Sequence, residues 1–264
     1  MLHACALAAP RIAFQVYGVR DMCAKDFAGT LKAAKALGYE GVETGRFYGL
    51  DAKGLKAACD EAGLELVALQ LYPHALVEPK LADTIRFCKE CGCSRINTAW
   101  FKGSAENEND WKLVADVISH AAEVCAKEGI VVGYHNHDQE FSTMFGGKSA
   151  MRLLMDWFSP RVKQEFDPGW CVLAGGDPMA WLADNPGRNP TVHVMPAIAD
   201  AKGLAPGEAG VGSRRDAADW RRILPALADD GVEWFVVKPT SFPGSIEDLK
   251  ASISYIRKTM KERE

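Results

Sequence analysis

The sequence predicts an α/β fold, a single (β/α)8 barrel of the TIM type spanning residues 1–264. Three observations carry that expectation. Short β-rich runs alternate with longer amphipathic stretches along the whole chain, the two periodicities of strand and helix. The alternation recurs eight times without a linker, composition break or low-complexity tract, a layout that closes a parallel barrel. No Gly-x-Gly-x-x-Gly follows the first strand, so an open dinucleotide-binding sheet lacks its fingerprint.

The elements follow in order. After a tail over residues 1–10, residues 12–19 read as the first strand, with a helix through 31–36 that stops at Gly38. Residues 41–43 end the second strand, and a helix over 55–62 stops at Gly63. The third strand is 66–72, with a helix around 82–90; the fourth is 96–100, with a long helix over 111–127 that ends before Gly129. The fifth strand, 130–137, is followed by a helix over 149–157, and the sixth, 162–167, by a short helix over 178–183. The seventh, 191–194, precedes a helix over 217–228, and the eighth, 234–238, is closed by a helix over 246–261.

Composition narrows the partners. At 48% hydrophobic and 25% charged the chain is ordinary for a globular protein with a sizeable core. A net charge of −4 provides no basic stripe, so nucleic acid is not an expected partner. The first ten residues are mildly apolar but have no basic flank and are too short for a membrane span or a secretory apolar region. Eight cysteines dispersed through predicted helices and strands read as reduced thiols, which fits a cytoplasmic protein. Cys88-x-x-Cys91-x-Cys93 has no second pair to complete a zinc set and falls where a helix ends at Gly92, so its expected role is structural.

Tyr134-His135-Asn136-His137-Asp138-Gln139-Glu140 is the densest chemical segment. On a strand, His135 and His137 point to one face and Tyr134 and Asn136 to the other. In a barrel of this kind the active site is built at the C-terminal strand ends. Those ends carry Gln15 and Tyr17, Glu43, Gln70 and Tyr72, Asn97 and Trp100, His135 and His137, Glu165 and Asp167, His193, and Lys238. So many polar groups at one end of a barrel are costly unless they surround water, a metal or a substrate. Glu140, Asp167 and His193 supply carboxylate and imidazole donors of the kind that hold Mn²⁺, Mg²⁺, Zn²⁺ or Co²⁺. Taken singly, Glu140 also suits a helix cap, Asp167 a turn before Pro168-Gly169, and His193 a satisfied core position.

Three stretches carry a family resemblance: Phe14-Gln15-Val16-Tyr17-Gly18-Val19-Arg20-Asp21; Tyr134 to His137 with Glu140-Phe141; and Phe166-Asp167-Pro168-Gly169-Trp170 with Ala174-Gly175-Gly176-Asp177-Pro178. Together they resemble the sugar phosphate isomerase/epimerase family, over nearly the whole chain. That resemblance implies a xylose-isomerase-like barrel with a divalent metal at its mouth. It implies isomerisation, epimerisation, dehydration or elimination on sugars, keto-sugars or polyols. Glu140, Asp167 and His193 match the ligands, with His135 a rival to the first because it occupies the strand end itself.

Two positions depart from the family pattern. The last strand usually brings a glutamate as fourth ligand, and this chain has Lys238, whose ammonium a nearby dication repels unless burial makes it neutral. The usual His-x-Lys-Asp of the seventh strand is His193-Val194-Met195-Pro196. Three arrangements are compatible with these changes. A metal is held by three protein ligands plus water and a histidine; Lys238 replaces it as the electrostatic element; or the chain is a non-catalytic sugar-binding or regulatory subunit. The first predicts an enzyme that moves a proton at carbon with His135, His137 or Glu165 as base. Gln15, Gln70 and Arg214 then bind hydroxyls or an anionic group, Tyr17 and Glu43 complete the substrate contacts, and Trp100 and Trp170 offer apolar faces. A DNA-cutting relative of the same barrel is disfavoured by the acidic pI of about 5.9. A small sugar or polyol is the expected partner, no membrane is, and a homo-oligomer is left open.

Overall fold

A computed structural model describes residues 8–99, 105–240 and 244–263. Eight strands close into one parallel barrel: β1 (Arg11–Gln15), β2 (Gly41–Thr44), β3 (Glu65–Leu71), β4 (Arg95–Thr98), β5 (Val131–His135), β6 (Lys163–Phe166), β7 (Thr191–Val194) and β8 (Trp234–Val237). Each pairs with its neighbours in sequence, and β8 closes on β1 with Val236 opposite Ala13. The alternation of strand side chains explains both cores. Phe14, Val42, Leu69, Ile96, Val132, Phe166, Val192 and Phe235 are buried in the layer under the helices. Ala13, Val67, Ala68, Trp234 and Val236 form a smaller apolar cluster, which plugs the interior at the N-terminal end.

On β1, β2 and β8 the interior positions change to polar side chains two residues further toward the C-terminal end, and on β6 and β7 both such positions are polar. Ala13 gives way to Gln15, Gly41 to Glu43, Glu165 to Asp167, Thr191 to His193, and Val236 to Lys238. The barrel is thus dry at one end and polar at the other.

Helix boundaries come from local chemistry. Asp26, Asp51 and Ser149 each accept an N–H from the first turn of the helix they precede. Asn107 with Asp110, and Ser245 with Asp248, form reciprocal capping boxes, each cap contributing about 1 kcal/mol. Gly38, Gly63 and Gly92 end their helices in the left-handed conformation, as the sequence predicts.

Several boundaries differ from expectation for identifiable reasons. The first strand stops at Gln15 rather than residue 19, because the Gln15 side chain accepts the Tyr17 N–H and turns the chain into a 3-10 helix, Val16–Val19. The fifth stops at His135, since Asn136 bonds across to the start of the next loop. The helix expected over 217–228 begins at Trp220. Helices Arg20–Lys25 and Pro168–Leu173 and a hairpin of Met144–Phe145 with Lys148–Ser149 add to the eight-unit plan. No helix among the described residues is long and apolar enough to cross a membrane.

Candidate functional site

The polar end is built in two layers. The lower is a closed network of fully buried groups from β2, β4, β6 and β7. Asn97 Nδ2 donates to Glu43 Oε2 at 3.0 Å and Glu165 Oε1 at 2.5 Å, and Thr191 Oγ1 donates to Glu165 Oε1 at 3.1 Å. His193 Nε2 lies 2.8 Å from Glu43 Oε1 and 3.3 Å from Glu165 Oε2. Asn97 has room because its neighbour on β5 is glycine: a Cβ on Gly133 would stand 2.4 Å from Asn97 Oδ1. Two carboxylates facing one imidazole cannot ionise alike. Burial and the adjoining Glu43 hold the Glu165 carboxyl well above its usual range. Burial also pushes Glu43 upward, but His193, Glu165 and Asn97 together overcome that and leave it low.

The upper layer is made by His135, Asp167 and His193, whose donor atoms lie within 4.8 Å of one another. His193 therefore joins both layers, Nε2 facing Glu43 and Nδ1 lying 3.8 Å from Asp167 Oδ2. Four buried atoms here have no hydrogen-bond partner: His135 Nδ1, Asp167 Oδ2, His193 Nδ1 and Glu165 Oε2. Each such atom costs about 1–3 kcal/mol. Convergence of several is the mark of a site completed by something else. Two imidazoles and a carboxylate from consecutive strands fit a borderline divalent ion such as Zn²⁺, Co²⁺ or Mn²⁺ better than one that demands oxygen alone.

Asn136 fixes the geometry of this layer. Its amide donates to the Asp167 carbonyl at 3.1 Å and accepts the Asp167 N–H at 2.9 Å, tying the end of β5 to the end of β6. Asp167 Oδ1 in turn accepts the Trp170 N–H at 3.1 Å, which caps the following helix and leaves Oδ2 free. Burial outweighs the pull of Lys238 and His193 and raises the Asp167 carboxyl to about 6. Burial, then electrostatic coupling to the neighbouring His193, His137 and Lys238, drives His135 well below its usual range. Burial, Lys238 and His193 bring His137 to about 3. Both imidazoles are neutral at neutral pH, the form that ligates metal or accepts a proton.

Above the upper layer opens a cavity of about 900 Å³. Gln15, Tyr17, Gln70, His135, His137, Trp170 and Lys238 line it, so these expected site residues are brought together. Gln15 Nε2 donates to Gln70 Oε1 at 2.7 Å, and the His135 and His137 rings lie 4.9 Å apart. Lys238 Nζ is buried 5.5 Å from the Trp170 ring centre, with Met195 Sδ at 3.6 Å. Burial lowers the Lys238 pKa against the upward pull of Asp167, Glu43 and Glu165.

Other expected site residues stand elsewhere. Glu43 and Glu165 lie beneath the imidazoles and do not reach the cavity wall. Glu140 is buried with both oxygens engaged, by the Tyr134 hydroxyl at 2.8 Å and the His137 N–H at 2.8 Å. It belongs to neither group of converging donors, and His135 occupies the place on β5 where Glu140 was the expected ligand. Arg214 is exposed on the chain between β7 and the helix Trp220–Asp229 and is not among the lining residues; the arginine in the wall is Arg46, just past β2. Trp100 lies outside the described residues. Asn136, Met195 and Arg46 were not anticipated. Arg46 alone had a visible signal, a basic residue two positions beyond the end of a strand.

A closed parallel barrel whose C-terminal mouth gathers imidazoles and a carboxylate beneath an open cavity defines a class of barrel enzymes and binding proteins that work at that mouth. The chain belongs to the xylose isomerase-like TIM barrel family, whose model matches residues 31–259. It is 26% identical over 184 residues to an inosose dehydratase of Clostridium beijerinckii, an alignment covering 62% of this chain and 61% of that relative. The fold is shared with a sugar phosphate isomerase/epimerase of Parabacteroides distasonis at a TM-score of 0.76 and 22% identity, covering 96% of this chain and 95% of that one. A Mycobacterium smegmatis xylose isomerase-like barrel in complex with magnesium aligns at a TM-score of 0.69 and 14% identity, covering 97% of each chain.

Proposed function

We propose that this protein is a sugar isomerase or epimerase, or a lyase of related mechanism, that moves a proton at a carbon beside a carbonyl or hydroxyl of a sugar, keto-sugar or polyol. The observation that carries the reading is the group of unpartnered donors on His135, Asp167 and His193 directly under a cavity whose wall combines polar and apolar side chains. A divalent ion held by these three would polarise the substrate oxygens and stabilise an enediolate. The Clostridium beijerinckii relative is by name a dehydratase of an inosose, and the Mycobacterium smegmatis barrel is in complex with magnesium, which supports a divalent ion and a polyol-like substrate here.

The chain's own residues do the rest. His137 faces the cavity and by position is the base to take the proton, since His135 is committed to the donor group. Gln15 and Gln70, already paired, offer amide donors and acceptors to hydroxyls. Trp170 presents an apolar face to a sugar ring, and Arg46 adds a cation at the wall. Glu43, Glu165, Asn97 and Thr191 hold His193 from below and serve position rather than proton transfer. Lys238 in place of a carboxylate predicts weak metal binding.

The direct test is NMR in deuterated water over a panel of aldoses, ketoses, inososes and 3-keto-glycosides with added Mn²⁺, Co²⁺, Zn²⁺ or Mg²⁺. Deuterium entering a substrate carbon supports the proposal. Binding of a panel member without exchange or conversion replaces it with the non-catalytic sugar-binding reading, which Lys238 favours.

A further inference from the structure

We propose that Lys238 forms a covalent imine with the carbonyl carbon of an open-chain keto or aldo substrate held in the barrel mouth. The inference rests on the proposed function for the substrate being a carbonyl compound, and it deepens that reading by naming the group the carbonyl meets. Lys238 follows β8 directly, at the C-terminal end of the barrel, and its side chain is 8% exposed while lining the cavity. An ammonium so enclosed needs acceptors for three N–H bonds. Among the described residues no carboxylate oxygen lies within 4.0 Å of Nζ, and its hydrogen-bond acceptor is the thioether of Met195 at 3.6 Å, a weak one. The other described lysines with ion-pair partners, such as Lys56, Lys112 and Lys148, pair with carboxylates at the surface. Lys238 is thus the buried amine of the cavity wall, whose other lysine, Lys202, is exposed, and no carboxylate among the described residues pairs with it directly.

The neighbours suit the step. Nζ lies 5.5 Å from the centre of the Trp170 ring, and the His137 ring lies 5.6 Å from the same tryptophan, so an amine, an imidazole and an aromatic wall border one space. The Nζ lone pair attacks the carbonyl carbon, the carbonyl π pair moves to oxygen, and a proton passes from nitrogen to that oxygen. The carbinolamine oxygen takes a second proton from solvent, equivalent to the one the lysine ammonium released on becoming the free amine, and leaves as water while the nitrogen lone pair closes a protonated carbon–nitrogen double bond. Lysine ammonium and carbonyl thus become iminium and water, with charge conserved and no change of oxidation state. The iminium draws electrons from the adjacent carbon–hydrogen bond, whose proton His137 can accept. Rehydration returns the free lysine and the rearranged carbonyl compound.

Reductive trapping tests this on the intact chain. The protein is incubated with 1,3-dihydroxyacetone, and separately with an inosose, in the presence of sodium cyanoborohydride, and its peptides are mapped by mass spectrometry. The expected result is a gain equal to the probe's mass less one oxygen on the Lys238 peptide. It should accumulate faster than on surface lysines such as Lys112 and Lys258, depend on the reductant, and be missing at that position in Lys238→Met. Labelling of Lys238 no faster than of those surface lysines overturns the proposal, and that comparison within the wild-type chain decides even if the variant does not fold. Carbon–deuterium exchange without trapping removes the imine and leaves the proposed function standing. Trapping without exchange keeps the imine and removes the proton-transfer reading.

Discussion

Replacing Glu140 by glutamine tests how the segment after β5 is held. Burial lifts this carboxyl to about 7 from an ordinary 4.5, although the Tyr134 hydroxyl and the His137 N–H both favour its charged form. The folded protein therefore keeps a proton that the unfolded chain releases between those two values. As pH rises through that window the unfolded state gains relative stability, and above about 7 the full cost is present. A difference of roughly 2.5 pKa units at about 1.36 kcal/mol each makes that cost about 3 kcal/mol. Glutamine keeps one acceptor for the His137 N–H, and the Tyr134 hydroxyl can rotate to accept from its amide. Denaturant unfolding of the wild type and Glu140→Gln between about pH 5 and about pH 8 should show the variant gaining on the wild type by up to about 3 kcal/mol as pH rises. A stability difference that does not change with pH, or that grows in favour of the wild type, would refute the reasoning.

Other variants probe neighbouring parts of the site. Asn136→Ala removes both bonds tying β5 to β6 and should destabilise the fold by about 2–3 kcal/mol in denaturant unfolding, while weakening divalent-ion affinity by calorimetry. Gly133→Ala drives a methyl into Asn97 and should cost about 1–3 kcal/mol, because the network under His193 must shift; unchanged unfolding would mean that the network yields freely. Lys238→Glu should raise affinity for Mn²⁺ by replacing a cation with a ligand, and unchanged affinity in a folded variant would place Lys238 away from the ion.

The barrel was legible in the sequence because its signal is repetitive: alternating strands, glycine stops and capping residues each report locally. Gly38, Gly63 and Gly92 stop helices where the sequence places the stops. The polar strand ends were legible for the same reason, since a period of two assigns Gln15, Glu43, Glu165 and His193 to the interior once the strand is known. Depth and orientation were not. Periodicity shows that Glu43 and Glu165 face inward, but it does not show that Asn97 and His193 seal them beneath the cavity. Glu140 has the chemistry of a ligand, and only the turn after His135 brings its carboxylate to Tyr134 and the His137 N–H. Asn136, paired with a backbone thirty-one residues away, left no local trace. Arg214 lies on a stretch of the chain without regular structure, where no periodicity relates it to the barrel mouth.

The most direct measurement is of bound metal in protein purified without chelator, followed by calorimetric titration of Mn²⁺, Co²⁺ and Zn²⁺ into wild type, His135→Ala, Asp167→Ala and Glu140→Gln. If His135, Asp167 and His193 form the centre, the wild type binds one ion per chain, His135→Ala and Asp167→Ala lose it, and Glu140→Gln keeps it. A wild type that takes up no ion, or binding that survives Asp167→Ala and is lost in Glu140→Gln, would contradict that assignment.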